Sequence, residues 1–270
     1  LWLLPFVLVG CEKGPNLAKT CEQNQQICAE LQEDNYCKKE RKATIFANVN
    51  LNTTKKDLQK YELLIAYEHY VKCMSLAAQI EHIKLKEKKT KRIDNLIKAK
   101  ARIEELSLQT AKSDHPYLLY FHWTRYLNNV ALAKFLQQEG SALLETPESQ
   151  LNLATYYTKI NSKKTLALLF HALELYKADE AINTEIFKSL TSIFTYKKEY
   201  KQGYIWLKVL SLYAPKDIAL GKESVEKYGK SHKLNSSFLF SKKEFLLGQY
   251  LRSHREYWES QLLHLLQDLV

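Results

Sequence analysis

Two stretches of the chain repeat one pattern: LATYYTKINSKKTLALLFHALELYKA (residues 153–178) and LTSIFTYKKEYKQGYIWLKVLSLYAP (residues 190–215). Leu153 aligns with Leu190 at an offset of 37 residues, and the alignment continues to the end of both copies. Each copy contains two apolar-periodic segments of about 12 residues with a short turn between them, which predicts a pair of helices. The repeat therefore indicates an all-α protein built from stacked helix pairs.

The second copy resembles a tetratricopeptide repeat, whose usual period is 34 residues. Gly203 occupies the position where a small residue lets two helices approach, and Pro215 stops the second helix. The first copy departs from the pattern, because Leu166 stands where the small residue is expected. The resemblance implies a short α-solenoid region. A general antiparallel helical bundle with accidental self-similarity is the alternative.

Composition favours the same fold class. Only 7 Gly and 5 Pro occur in 270 residues, and strand-rich folds need those residues for their many turns. Apolar residues make up 46% of the chain, so a sizeable core is possible. Leu, Lys, Glu, Ala and Gln are abundant, and all of them form helices readily.

Two apolar seams precede the repeat and predict a helical hairpin. The first seam consists of Leu63, Ala66, Tyr70, Cys73, Ala77 and Ile80, and the second of Leu96, Ala99, Ile103 and Leu106. One very long helix is the alternative, but a hairpin buries both seams. The predicted divisions are a signal-peptide remnant (1–10), a lipidated tether (11–20), a Cys-containing helical region (21–112) and a repeat region with a capping C-terminal helix (115–270).

The first residues have the pattern of a bacterial lipoprotein. LWLLPFVLVG (residues 1–10) is uncharged, nearly all apolar and has the length of a signal-peptide core. Leu8-Val9-Gly10-Cys11 resembles a lipobox, in which the Cys11 thiol takes up a diacylglycerol through a thioether. Two or more acyl chains give stable anchoring. Because Glu12 rather than Asp follows, an outer-membrane location is expected; an ordinary apolar helix with an incidental cysteine is the alternative.

Four further cysteines, Cys21, Cys28, Cys37 and Cys73, suit two disulfide bonds in an oxidising compartment. Three pairings are possible, and we favour Cys21–Cys28 with Cys37–Cys73. Buried free thiols are one alternative. A metal site is another, although the spacings lack the tight Cys-x2-Cys knuckles of structural zinc.

Residues 84–102 contain nine Lys or Arg against Glu87 and Asp94. Lys84, Lys86, Lys88, Lys89, Lys91 and Arg92 are the candidates for contact with an anionic surface. A solvated helix tip is the alternative. The formal charge of +10 also suits nucleic acid, but the predicted envelope location argues against that partner.

Motifs for catalysis, metals or cofactors are absent from the sequence: it has no His-Glu-x-x-His, no Gly-x-Ser-x-Gly and no phosphate-binding glycine loop. We therefore expect no cofactor and name no catalytic residue. The first helices of the repeat offer a partner face instead. Its predicted contacts are Tyr156, Lys188, Ser192 and Tyr196, from a wider set of exposed positions that also includes Asn152 and Lys159. Packing of these residues on neighbouring helices is the alternative.

The chain also resembles a family of gammaproteobacterial lipoproteins without an established activity. The stretches that carry this resemblance are CEQNQQIC (21–28), YEHYVKCM (67–74), IEHIKLKEKKTKR (80–92), LLYFHWTRYL (118–127) and the repeat region 150–215. The resemblance implies an envelope location and no mechanism. The expected function is a non-enzymatic interaction scaffold that binds another envelope protein. An envelope enzyme or an activator of a cell-wall enzyme is the first alternative, and a structural envelope protein is the second.

Overall fold

The computed structural model describes residues 16–81, 85–177, 180–214 and 222–234. This part of the chain forms α-helices and one short 3-10 helix and contains no strand, which confirms the predicted all-α fold class. The signal-peptide remnant (1–10), Cys11, Lys84, Pro215 and the whole of the predicted capping C-terminal helix lie outside the described residues.

The chain divides into two compact units between Gln137 and Gln138. The sequence suggested a division near 113–115 instead. The difference arises because Leu118 and Phe121, which follow that turn, are buried in the apolar core of the first unit. Their helix is therefore part of the first unit.

The described part of the first unit contains seven α-helices. They are α1 (Leu17–Gln23), α2 (Gln25–Glu30), α3 (Lys38–Thr54), α4 (Asp57–Ala77), α5 (Lys86–Thr110), α6 (Pro116–Tyr126) and α7 (Asn129–Gln137). Helix α1 begins inside the predicted tether (11–20), because Asn16 Oδ1 accepts the Ala18 N–H at 2.9 Å and caps the helix.

Helix α4 forms the centre of the first unit and packs on both α3 and α5. Leu63, Tyr67, Tyr70 and Met74 of α4 are buried in its core. Since α5 folds back onto α4, the predicted hairpin is confirmed. Pro116 stands in the first turn of α6, where its missing N–H costs no helical hydrogen bond.

The second unit begins with the 3-10 helix Ala142–Leu144 and continues with five described α-helices. They are α8 (Pro147–Tyr157), α9 (Ser162–Glu174), α10 (Glu185–Tyr196), α11 (Tyr200–Tyr213) and α12 (Lys222–Ser231). Helices α8 and α9 form one hairpin and α10 and α11 the next, as the repeat predicts. Residues of all four helices share one apolar core, in which Trp206 is fully buried.

Gly203 of α11 has the role that the sequence assigns to it. A methyl group at this position would overlap the Tyr228 hydroxyl of α12 and would lie 3.0 Å from Thr195 Oγ1 of α10. The close approach of α10, α11 and α12 at this point therefore requires glycine.

Candidate interaction surfaces

The four described cysteines form two disulfide bonds, Cys21–Cys28 and Cys37–Cys73, which confirms the favoured pairing. A carboxylate, Glu40, lies close to the second bond. Cys37, Glu40 and Cys73 have ligand atoms near enough to one another to suggest a metal site. Because both sulfurs are already bonded to each other, this group is a disulfide beside a carboxylate.

Polar side chains of α3 and α5 hold residues 28–37, here called the Cys segment. Arg41 donates through Nε to the Leu31 carbonyl and through Nη2 to the Cys28 carbonyl, both at 2.8 Å. The Asn95 side chain and the Gln32 backbone exchange two hydrogen bonds of 2.8 and 2.9 Å. Backbone groups that leave a helix and are partly removed from water need such partners.

Arg92 belongs to the same polar framework and not to an outer charged surface. It is only 5% exposed, with Nε 2.8 Å from Asp34 Oδ2 and Nη1 2.8 Å from the Ala77 carbonyl. Burial raises the pKa of Asp34, but the hydrogen bonds from Arg92 and from the Tyr36 backbone outweigh it and lower that pKa. The prediction that Arg92 meets an anionic surface is therefore wrong, because its guanidinium already has internal partners.

The lysines of the basic run lie largely on the outside of α5. Lys86 and Lys91 are exposed, whereas Lys88 and Lys89 are half-buried, and Lys89 forms an ion pair with Glu81. Lys98 and Lys100 are exposed farther along the helix. Ile93 and Ile97, which belong to neither predicted apolar seam, are also exposed among these lysines.

Helix α10 presents three of the four predicted partner contacts in one row. Lys188, Ser192 and Tyr196 follow one another at four-residue spacing, and Lys188 forms an ion pair of 2.9 Å with Glu185. Ser192 is exposed, and Tyr196 is 89% exposed. This row is the first candidate surface of the second unit.

The α8 residues of the predicted partner face lie differently. Tyr156 is half-buried and its ring packs edge-on against Tyr157, with 4.9 Å between the centroids. Asn152 is only 4% exposed, so the expectation that it faces solvent is wrong. Asn152 belongs to the side of α8 that packs in the core, beside Leu151 and Leu153.

Two groups of residues have the composition of a nucleophile with a base, but neither has the required geometry. Thr110 Oγ1 lies 3.0 Å from His122 Nε2, yet both side chains are buried and the hydroxyl also bonds to a carbonyl of its own helix. Ser113 donates to Asp57 and accepts the backbone N–H of His115, and the hydrogen bonds from Ser113 and Lys60 lower the pKa of Asp57, so this carboxylate is a weak base for activating the hydroxyl. The first group joins the end of α5 to the middle of α6, and the second joins the turn between α5 and α6 to the start of α4.

These features define an all-α protein with two disulfide bonds, whose second unit stacks helical hairpins. No helix among the described residues has both the length and the apolar character for crossing a bilayer. The chain belongs to the family described as "Protein of unknown function (DUF2989)", whose model matches residues 8–208. Membership in a family without an assigned activity is thereby confirmed, while the gammaproteobacterial origin and the lipoprotein nature stay predictions. No curated protein and no solved structure matches the chain.

Proposed function

We propose that this protein is a lipid-anchored, periplasm-facing lipoprotein of the outer membrane, and that it works as a non-enzymatic scaffold for another envelope protein. The observation that carries the scaffold role is the outer row of α10, which ends in Tyr196 at 89% exposure. Tyrosine is enriched at protein interfaces because it combines a large apolar ring with a polar tip.

The chemistry of the row indicates the class of partner. Ser192 and Tyr196 offer hydroxyl groups to a polar segment, and the half-buried Lys188, in an ion pair with Glu185, lies one turn before Ser192. Such a surface suits an acidic, partly apolar stretch of protein, since charge steers the encounter and the aromatic ring anchors it.

The two disulfide bonds support the envelope location, because disulfides persist in oxidising compartments outside the cytosol. The anchor has a direct test. Cys11→Ser should abolish incorporation of labelled palmitate and leave an uncleaved precursor. The double variant Cys21→Ser/Cys28→Ser is the matched control and should keep the label. Unchanged palmitate labelling of Cys11→Ser would contradict the proposed lipid anchor.

The scaffold role is tested by a photo-crosslinking amino acid placed at position 196 in living cells. The control is position 130, because Val130 is 67% exposed on α7 of the other unit. We expect one protein to crosslink at position 196 and none at position 130. Tyr196→Ala should then weaken the affinity for that purified protein about tenfold or more without lowering the melting temperature.

Two results would contradict the scaffold. Equal crosslinking at both positions would show that α10 has no special surface. Turnover of cell-wall fragments by the purified chain alone would show an enzyme.

A further inference from the structure

Helix α5 carries a narrow outer face, here called the α5 face, in which two successive isoleucines have lysines before and after them. Its members recur at steps of three or four residues and so lie on one side of the helix: Lys86, Lys89, Ile93, Ile97 and Lys100. Their span of 14 residues corresponds to about 21 Å along the helix axis. The face is therefore long and straight.

The isoleucines of the α5 face are in contact with water in this structure. Ile93 is 38% exposed, and Ile97, one turn later, is 61% exposed. A single exposed apolar side chain is ordinary on a protein surface. Two on consecutive turns, with lysines on both sides, form the pattern of a helix that lies in a membrane interface.

The opposite side of α5 fixes the orientation of this face. Arg92, Asn95 and Ala99 are buried, and the first two bond to Asp34 and to the Gln32 backbone. Because these contacts occupy the inner side of α5, the helix cannot rotate to bury Ile97.

Charge on the α5 face and beside it is mostly positive. Six lysines occur between residues 86 and 100, against two carboxylates: Lys86, Lys88, Lys89, Lys91, Lys98 and Lys100 against Glu87 and Asp94. Lys89 is paired with Glu81, and Lys98 and Lys100 are exposed next to Ile97. Such a surface is complementary to lipid phosphates.

We infer that the α5 face lies on an anionic phospholipid bilayer, with Ile93 and Ile97 at the boundary between headgroups and acyl chains and the lysines at the lipid phosphates. The inference rests on the proposed membrane anchor, which brings the bilayer within reach at a high effective concentration. A basic patch alone attaches a protein only weakly to a membrane, so the acyl chains of the anchor supply the attachment and the α5 face orients the first unit on the bilayer.

The test uses the lipidated full chain on vesicles of phosphatidylglycerol with phosphatidylcholine, and on vesicles of phosphatidylcholine alone. Flotation with both kinds of vesicle reports the anchor. Amide hydrogen exchange of the segment 86–101 reports the α5 face. We expect this segment to exchange more slowly on the anionic vesicles only.

The charge requirement has a matched pair of variants. Lys98→Glu/Lys100→Glu should lower the docking equilibrium constant, obtained from the exchange protection, at least about thirtyfold, because each lysine near an anionic surface contributes about fivefold and each new carboxylate adds repulsion. Lys163→Glu/Lys177→Glu changes the net charge equally at exposed positions of the second unit and should leave the protection unchanged.

The apolar requirement has a closely matched pair as well, since Ile97 is 61% and Ile160 63% exposed. Ile97→Gln should lower the docking equilibrium constant about tenfold, and Ile160→Gln should not. Flotation without protection of 86–101 would overturn the α5 face while leaving the anchor intact. Equal protection of this segment on neutral vesicles would also overturn the inference. Protection by poly-L-glutamate but not by anionic vesicles would overturn it as well, and would assign the α5 face to an acidic polypeptide.

Discussion

Arg92 Nε lies 2.8 Å from Asp34 Oδ2, and this ion pair joins α5 to the Cys segment. The same guanidinium donates to the carbonyl of Ala77 at the end of α4. Both charged side chains are largely removed from water, with 6% and 11% of their surfaces exposed. One arginine thus holds three parts of the first unit together.

Loss of this arginine should destabilise the first unit. Arg92→Ala leaves Asp34 without its cation and the Ala77 carbonyl without its donor, so we expect the free energy of unfolding to fall by about 3 kcal/mol. Lys91→Ala, at the exposed neighbouring position, should change it by less than about 0.5 kcal/mol. Urea unfolding curves of both variants measure the difference, and similar values for the two would contradict an internal role of Arg92.

The burial of Arg92 was predictable from the register of the second seam. Arg92, Leu96, Ala99, Ile103 and Leu106 follow one another at steps of 4, 3, 4 and 3 residues, so Arg92 continues the buried side of α5. The lysines around Arg92 obscure that signal, because they give the whole run the composition of a charged outer surface. Its partners were not predictable, because Asp34 and the Ala77 carbonyl meet it only through the packing of distant segments.

The repeat alignment also predicts which residue of α8 faces outward in the second unit. The offset of 37 residues pairs Tyr156 with Ile193, which is buried, and pairs Thr155 with Ser192, which is exposed. Consistent alignment therefore predicts Thr155, not Tyr156, as the outer residue of α8. The apolar periodicity was enough to predict the helical hairpins. Predicting which side chains face outward requires the exact register, because neighbouring residues of a helix point about 100° apart.

The two disulfide bonds should differ in what they contribute to stability. Cys37–Cys73 spans 36 residues and Cys21–Cys28 spans 7, so the longer loop loses more entropy on closure in the unfolded chain. Cys37→Ala/Cys73→Ala should cost about 4 kcal/mol and Cys21→Ala/Cys28→Ala about 2.5 kcal/mol. Guanidinium unfolding of the two double variants tests this order, and a reversed order would show that loop closure does not dominate.

Gly203→Ala should destabilise the second unit, because the new methyl group meets the Tyr228 hydroxyl. The hydroxyl must move and would lose its 2.6 Å hydrogen bond with Thr195. The loss should exceed the roughly 0.5–1 kcal/mol by which alanine favours a helix over glycine.

Tyr228→Phe provides the matched background for this substitution, since it removes the hydroxyl and keeps the ring. In that background Gly203→Ala should cost at least about 1 kcal/mol less than in the unchanged chain, a coupling typical of residues in contact. Thermal unfolding of the four chains in this double-mutant cycle measures the coupling. If the effects of the two substitutions are additive, the destabilisation by Gly203→Ala does not come from its contact with the Tyr228 hydroxyl.

His171 should make the stability of the second unit depend on pH. Its Nε2 lies 2.7 Å from Glu145 Oε2 and its Nδ1 lies 3.2 Å from Glu174 Oε2. The hydrogen bond to Glu145 is the largest influence on the pKa of His171; together with the bond to Glu174 it outweighs partial burial and raises that pKa above 6.5. The protonated ring, with two N–H donors, is the form that satisfies both carboxylates.

The sign of the effect follows from this raised pKa. The stabilisation is fully present below the unfolded pKa of about 6.5 and is lost as the pH rises through the raised value in the folded chain. His171→Gln should therefore lower the melting temperature at about pH 5.5 and change it much less at about pH 8.5. His69→Gln, at an exposed position of α4, is the control and should show no such difference between the two pH values.

Because the His171 side chain is 38% exposed, solvent screens its ion pairs and the effect should be small but of fixed sign. A larger loss at the higher pH would mean that the neutral ring, and not the imidazolium, is the form held between Glu145 and Glu174.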